Sequence, residues 1–345
     1  MDITALLTYA VQHGASDLHL SAGMPPIVRI DGELQPMDVS CLDHEQIQQL
    51  ILSIMDQQQG HNFITEREID FAFELPKVSR FRINAFHQNR GASAVFRIIS
   101  SQILSMEQLA LPAIFQQICE YPRGIVLVTG PTGSGKSTTL AAMIDYINHH
   151  YCKHILSIED PIEFIHQSKK CLINQREIYR DTLGLNQALH AALREDPDII
   201  LIGEMRDAET MRLALTAAET GHLVFATLHT SSATKTIDRI IDTFSAQEKD
   251  SVRAMLAESL QAVISQILLK KQHQGRVAAH EIMIAIPAIR NLIRENKIAQ
   301  MYSVLQTGAV YGMQTLDQSL KHLLHQGTIT LQTARSLAKQ PEMFK

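Results

Sequence analysis

The chain is short of three things, and each shortfall removes a class of explanation. It has four cysteines in 345 residues, Cys41, Cys119, Cys152 and Cys171, scattered and with no C-x-x-C pair. A zinc knuckle and a dithiol redox centre are therefore unsupported. No stretch approaches the roughly 20 apolar residues that a membrane-spanning helix needs. The opening Met1-Asp2-Ile3-Thr4 lacks the basic start and apolar run of a signal peptide, so a cytosolic location is expected. Nor is there a surplus of positive charge: the formal net charge is −5, which argues against the broad basic face of a nucleic-acid binder. With 45% apolar and 19% charged residues, the composition suits a globular protein with a large core. The length fits about two domains.

What the chain does have is a complete phosphate-binding loop, Gly130-Pro131-Thr132-Gly133-Ser134-Gly135-Lys136-Ser137, with Thr138 opening the helical stretch that follows to Asn148. The buried-strand run Ile125-Val126-Leu127-Val128 precedes it. A strand before and a helix after are the setting in which loop N–H groups wrap a triphosphate at a helix N-terminus. In that setting Lys136 reaches the β- and γ-phosphates of ATP and the Ser137 hydroxyl binds Mg²⁺. The glycines let the backbone approach phosphate closely.

Residues 1–99 read as an α+β module. Ile3, Leu6, Leu7, Ala10 and Val11 keep helical spacing, and Gly14 ends the helix. Asp31-Gly32 between Arg29-Ile30 and Glu33-Leu34 signals a hairpin. A second helix is expected from about Asp43 to Gln58, and a strand from Ile69 to Glu74. Arg80 to Ala85 alternates strictly, Gln88 to Gly91 makes a turn, and Ala94 to Ile98 returns as a strand. Phe81, Ile83, Phe96 and Ile98 fall on one face of that hairpin, and Arg82 and Arg97 on the other. Residues 100–111 carry no strong element and read as a linker.

Residues 112–345 hold four apolar runs, each with a polar tail. Ile125–Val128 ends at the phosphate loop, Ile155–Ile158 at Glu159-Asp160-Pro161, Ile199–Ile202 at Gly203-Glu204, and Leu223–Ala226 at Thr227-Leu228-His229. Continuous apolar strands separated by helices predict a parallel sheet covered on both faces, with ligand beyond the strand C-termini. Glu159, Asp160 and Glu163 put three carboxylates just after one strand. Phosphoryl transfer to water needs one group to orient the water, and the residues leave open which of the three does so. Glu204 stands where a P-loop ATPase usually has Asp, so it reaches Mg²⁺ through water. His222 and His229 flank the fourth strand, His229 at the end where a γ-phosphate sensor sits. Their spacing along a strand separates them too widely for a shared metal. Arg194, Arg206 and Arg239 are further cations, any of which can serve a neighbouring copy's nucleotide. From Pro287 an amphipathic helix presents Arg290 and Arg294 on one face, and short helices follow to the end as a cap beginning at about residue 285.

Taken together, the phosphate loop, the acidic box Glu159–Glu163, Gly203-Glu204-Met205-Arg206-Asp207 and the histidine box Thr220–His229 resemble the secretion ATPases. These are the hexameric motors of type II secretion, type IV pili and type IV secretion. Ala15-Ser16-Asp17-Leu18-His19-Leu20 extends the likeness to the N-terminus, and Ala288–Glu295 resembles the C-terminal signature of the pilus-retraction subfamily. The resemblance implies an α/β fold: a RecA-like P-loop ATPase domain with a parallel-rich sheet, preceded by a smaller PAS-like α+β domain. It implies a homohexamer with nucleotide between the two domains, and ATP hydrolysis coupled to pilus retraction and twitching motility. Glu163 would be the catalytic base, Glu204 the second-motif carboxylate, and Arg82 and Arg97 the phosphate-touching arginines. Lys136 and His229 complete the catalytic set, while Glu159, Asp160 and His222 join the nucleotide-binding residues. Ser137 and Glu204 would hold Mg²⁺. The implied partner is an inner-membrane pilus platform protein at its cytoplasmic face, together with an accessory paralogue; no nucleic acid is expected. That paralogue and a DNA-transfer or secretion motor of the same superfamily are the competing readings. The cysteine spacing offers no four-cysteine zinc site like that of the family's assembly motors, and their added N-terminal domain is not expected here.

Overall fold

The computed structural model describes residues 2–30, 32–99, 102–273 and 275–344. Met1, Lys345, Asp31 of the expected hairpin turn, and Ser100 and Ser101 of the expected linker lie outside the described residues. The chain divides into two compact units, residues 1–102 and 103–345.

The first unit runs α1 (Ile3–Gln12), β1 (Asp17–Ser21), β2 (Ile27–Ile30), β3 (Glu33–Pro36), α2 (His44–Leu52), α3 (Gln57–Glu66), β4 (Glu68–Leu75), β5 (Ser79–Gln88) and β6 (Gly91–Ile99). Its antiparallel sheet has the order β3-β2-β1-β6-β5-β4. The α1 stripe of Ile3, Leu6, Leu7 and Ala10 is buried, as its spacing requires. The expected single helix from Asp43 is two helices. Asp43 and Gln46 cap the first reciprocally, and Asp56 and Gln59 cap the second. That second capping box starts a new helix in the middle of the expected one. In the β5–β6 pair Phe81 opposes Ile98 and Ile83 opposes Phe96, while Arg82 opposes Arg97 on the other face.

The second unit runs α4 (Ile114–Cys119), β7 (Gly124–Thr129), α5 (Lys136–His150), β8 (His154–Glu159), β9 (Leu172–Glu177), α6 (Leu185–Ala192), β10 (Ile199–Ile202), α7 (Ala208–Glu219) and β11 (Leu223–Leu228). It continues through α8 (Ala233–Asp242), α9 (Lys249–Ser259), β12 (Leu260–Lys270), β13 (Arg276–Ile284), α10 (Pro287–Arg294), α11 (Ile298–Thr307), α12 (Leu316–His325) and α13 (Leu331–Leu337). The sheet order is β13-β12-β7-β11-β10-β8-β9, parallel throughout except for the β12–β13 hairpin. Every residue of β7, β10 and β11 is buried, which is why these strands lack an alternating pattern. Three strands, β9, β12 and β13, were not expected from the sequence. Met106 is buried in this unit's core, with Leu109 and Leu111 packed against it, so part of the segment read as a linker is core.

The C-terminal helices form a cap. Pro287 occupies the first turn of α10, and Ile289 and Ile293 are buried. A separate apolar cluster joins Leu269 and Val277 of the hairpin to Leu320, Leu323, Ile329 and Phe344. Arg290 does not stand on a free basic face. Its guanidinium donates to the carbonyls of Ala257 and Glu258, each at 2.6 Å, at the C-terminal end of α9. Arg294 pairs with the Glu258 carboxylate at 3.1 Å. Cations belong at a helix C-terminus, where unpaired carbonyls gather.

Candidate active site

The C-terminal ends of β7, β11, β10 and β8 lie side by side along one edge of the sheet, so their polar tails gather there. The phosphate loop leaves β7 at Gly130, whose φ is +144°. A Cβ on Gly130 would sit 2.3 Å from the Gln266 carbonyl oxygen and 2.6 Å from Ser134 Oγ. Gly135 caps α5 in the left-handed region, φ +89°. Gln266 of β12 donates through Nε2 to the Ser134 carbonyl at 2.7 Å and so staples the loop to the neighbouring strand. Lys136 is buried, and its ammonium donates to the carbonyls of Gly130 at 2.9 Å and Pro131 at 3.2 Å. Burial holds its pKa below the usual lysine value, while Glu204 and Glu163 pull it back up.

A small pocket beside the loop is lined by Ser137, Glu159, Phe164, His166, Gly203 and Thr227, among others. Glu159, the last residue of β8, accepts from Ser157 Oγ at 2.7 Å and Gln175 Nε2 at 3.3 Å. Burial pushes its carboxyl up to about 7 against these bonds. Burial also drives the neighbouring His166 down to about 4. The acidic box is held from β9. Gln175 donates to the Phe164 carbonyl and accepts from the His166 N–H, both at 2.8 Å. Glu177 accepts from the Ile162 N–H at 3.1 Å. Asp160 precedes a cis proline and is exposed, and Glu163 is half-buried.

Glu204 follows β10. Its Oε1 lies 2.9 Å from His229 Nε2 and its Oε2 2.8 Å from Arg206 Nε. His229 Nδ1 lies 3.4 Å from Lys136 Nζ. A Cβ at Gly203 would come within 3.3 Å of Glu159 Cα, so this glycine lets the β8 and β10 tails approach. The Thr227 hydroxyl donates to the Gly203 carbonyl and fixes the bend that aims Glu204.

The structure thus brings Lys136, Ser137, Glu159, Glu204 and His229 together at one strand edge, with Glu163 close enough to act on Lys136. It does not bring His222. That residue precedes β11, and the six-residue strand carries it about 20 Å from His229 at roughly 3.3 Å per residue. Its Nδ1 lies 2.9 Å from the Ala217 carbonyl at the end of α7. His222 thus stands at the opposite end of β11 from the phosphate loop and His229. Arg82 and Arg97 lie in the first unit, where Asp17 accepts from Arg97 Nε at 3.1 Å. Arg206 is committed to Glu204, while Arg194 and Arg239 are exposed. Gln266, Gln175 and Glu177 escaped the sequence reading because their strands did. Thr227 lay inside a named motif and carried no distinguishing signal.

An oxygen-rich set fits Mg²⁺. The Ser137 hydroxyl and the Glu204 carboxylate are hard ligands, few in number, as suits a cation that takes its other partners from phosphate and water.

Comparison with known proteins places these features in a family. The model for the type II/IV secretion system protein family matches residues 1–336. The type IV pilus retraction ATPase PilT of Pseudomonas aeruginosa is 63% identical over 344 residues, covering 100% of both chains. The type IV pilus ATPase PilU of the same organism is 40% identical over 335 residues, covering 97% of this chain and 88% of its own. A crystal structure of the pilus retraction motor PilT with bound ADP superposes with a TM-score of 0.92 at 47% identity, covering 99% of this chain and 98% of that one.

Proposed function

The chain belongs to the type II/IV secretion system protein family, and from that premise we propose that it is an ATP-hydrolysing motor for type IV pilus retraction, the pilus disassembly that drives twitching motility. The observation that carries the reading is the joining of Glu204, His229 and Lys136 beside an intact phosphate loop. The loop's N–H groups and Lys136 bind the triphosphate. Its phosphate oxygens replace the two loop carbonyls that now accept from the ammonium. Glu163 orients the attacking water. His229 and Arg206 hold Glu204 in place, so that this carboxylate and Ser137 can hold Mg²⁺, which supplies neutralisation of phosphate charge when bound. Arg82 and Arg97 serve as phosphate-sensing arginines. Asp160 lies at the acidic box's outer side. The motor works as a homohexamer at the cytoplasmic face of the inner membrane, against a pilus platform protein and beside a PilU-type partner. Only a difference in nucleotide affinity between open and closed states drives such motion.

Deleting the gene in its host tests the reading. Abundant surface pili without twitching support retraction. Loss of pili indicates assembly, and no change in either overturns a pilus role. Higher identity to PilT than to PilU favours the motor over its accessory paralogue.

A further inference from the structure

Glu281 of β13 is 2% exposed, and both of its carboxylate oxygens are committed. Oε1 accepts from the Ala233 N–H, the first residue of α8, at 2.8 Å. Oε2 accepts from Lys339 Nζ at 2.6 Å. The C-terminal segment carrying Lys339 is itself fixed, because Asp317 accepts from the Lys339 N–H at 2.8 Å and the Gln340 N–H at 3.0 Å. The Lys339 ammonium also lies 4.6 Å from the centroid of the Tyr302 ring. A buried carboxylate is costly unless paired and hydrogen-bonded. This one meets a helix N-terminus on one side and a cation on the other.

What Glu281 holds bears on the active site. Helix α8 starts four residues after His229, so three residues separate the imidazole from the N–H that Glu281 fixes. That stretch has little slack. The Thr230 hydroxyl bonds to Thr236 Oγ1 at 2.7 Å, one turn into α8. Thr236 in turn lies 3.5 Å from Thr129 Oγ1, immediately before the phosphate loop.

We infer that Glu281 is a positioning residue for hydrolysis: it sets the N-terminus of α8, and through it the His229 imidazole, and its second oxygen ties that placement to the C-terminal segment through Lys339. The inference rests on the reading of His229 as part of the hydrolytic site.

The test is steady-state phosphate release by the full chain carrying Glu281→Ala, Glu281→Gln or Lys339→Gln, with melting temperatures recorded alongside. Glu281→Ala is expected to lower kcat by about tenfold or more while KM for ATP stays within about twofold. Glu281→Gln, which keeps an acceptor for the Ala233 N–H, recovers most of that loss. Lys339→Gln lowers kcat in the same direction, again without moving KM. A merely structural role would lower the melting temperature and leave kcat per folded molecule unchanged, and that result overturns the inference. So does a glutamine variant as impaired as the alanine one. If Glu281→Ala does not fold, Lys339→Gln decides, and wild-type kcat in that variant sinks the coupling. Absence of phosphate release by the unsubstituted chain would instead remove the reading of the site, and this inference with it.

Discussion

His229 Nε2 lies 2.9 Å from Glu204 Oε1, and this contact fixes how the ring is used. The other ring nitrogen faces the Lys136 ammonium, 3.4 Å away. A lysine ammonium can only donate, so Nδ1 accepts and the ring proton sits on Nε2, directed at Glu204. The imidazole thus sits between the Lys136 ammonium and the Glu204 carboxylate. Its placement depends on the end of β11.

Under the proposed function, removing the His229 ring leaves the loop intact but takes away one of the two contacts that hold the Glu204 carboxylate. His229→Ala is expected to lower kcat by about 10²-fold, the scale seen when one transition-state-stabilising group is lost. Nucleotide affinity should change little. Phosphate release and titration with a fluorescent nucleotide measure the two separately.

Glu159 gives a pH signature. Its carboxyl is raised from about 4.5 to about 7 in the folded protein. Between those values the folded state keeps a proton that the unfolded chain has lost. Stability therefore falls as pH rises across that window, and the whole deficit is present above it. Glu159→Gln should stabilise the protein at pH 8 by up to about 3 kcal/mol, at about 1.4 kcal/mol per pKa unit. The gain should vanish near pH 4, while ATP turnover falls. Denaturant melts at both pH values check it; an equal gain at pH 4 would contradict the assignment.

His280 has the opposite sign. It is 2% exposed, and burial drives its pKa from 6.5 to about 4. The unfolded chain binds a proton that the folded state refuses, so this contribution is complete above pH 6.5 and is lost as pH falls through 4. His280→Leu should flatten the acid limb of a plot of melting temperature against pH.

Two glycines of the phosphate loop separate space from backbone strain. Gly133 has φ +78° with open space around its Cβ position, whereas a Cβ on Gly130 meets the Gln266 carbonyl oxygen. Without nucleotide, Gly133→Ala should cost about 1 to 2 kcal/mol, the cost of a left-handed residue. Gly130→Ala should cost more and abolish nucleotide binding, because the loop cannot close against β12. Thermal melts and nucleotide titrations distinguish them.

Arg290→Met should destabilise the chain by about 2 kcal/mol, the scale of hydrogen bonds to a charged group. It leaves the Ala257 and Glu258 carbonyls without their guanidinium. ATP turnover per folded molecule should be unchanged.

The four central strands were legible because both their faces are buried, which writes an unbroken apolar run into the sequence. The outer strands carry no such mark. β9, Leu172–Glu177, has only two apolar residues and lies at the sheet edge. β12 begins directly at the end of α9 with no intervening turn: Leu260 is both the helix cap and the first strand residue. Local pattern cannot mark a boundary without a breaker. The site followed the same division. Residues on the central strand tails could be named from the sequence, whereas the strand-borne residues that hold those tails, Gln175, Glu177 and Gln266, could not. His222 and His229 share one motif yet stand at opposite ends of β11, because motif membership ignores how far a strand carries its two ends apart.

The staple from Gln266 to the Ser134 carbonyl has a kinetic consequence. A loop already held from its neighbouring strand gives up little conformational freedom when phosphate arrives, so ordering it need not slow capture. Association should then proceed at nearly the same rate for different nucleotides. Discrimination between triphosphate and diphosphate would appear in how long each stays.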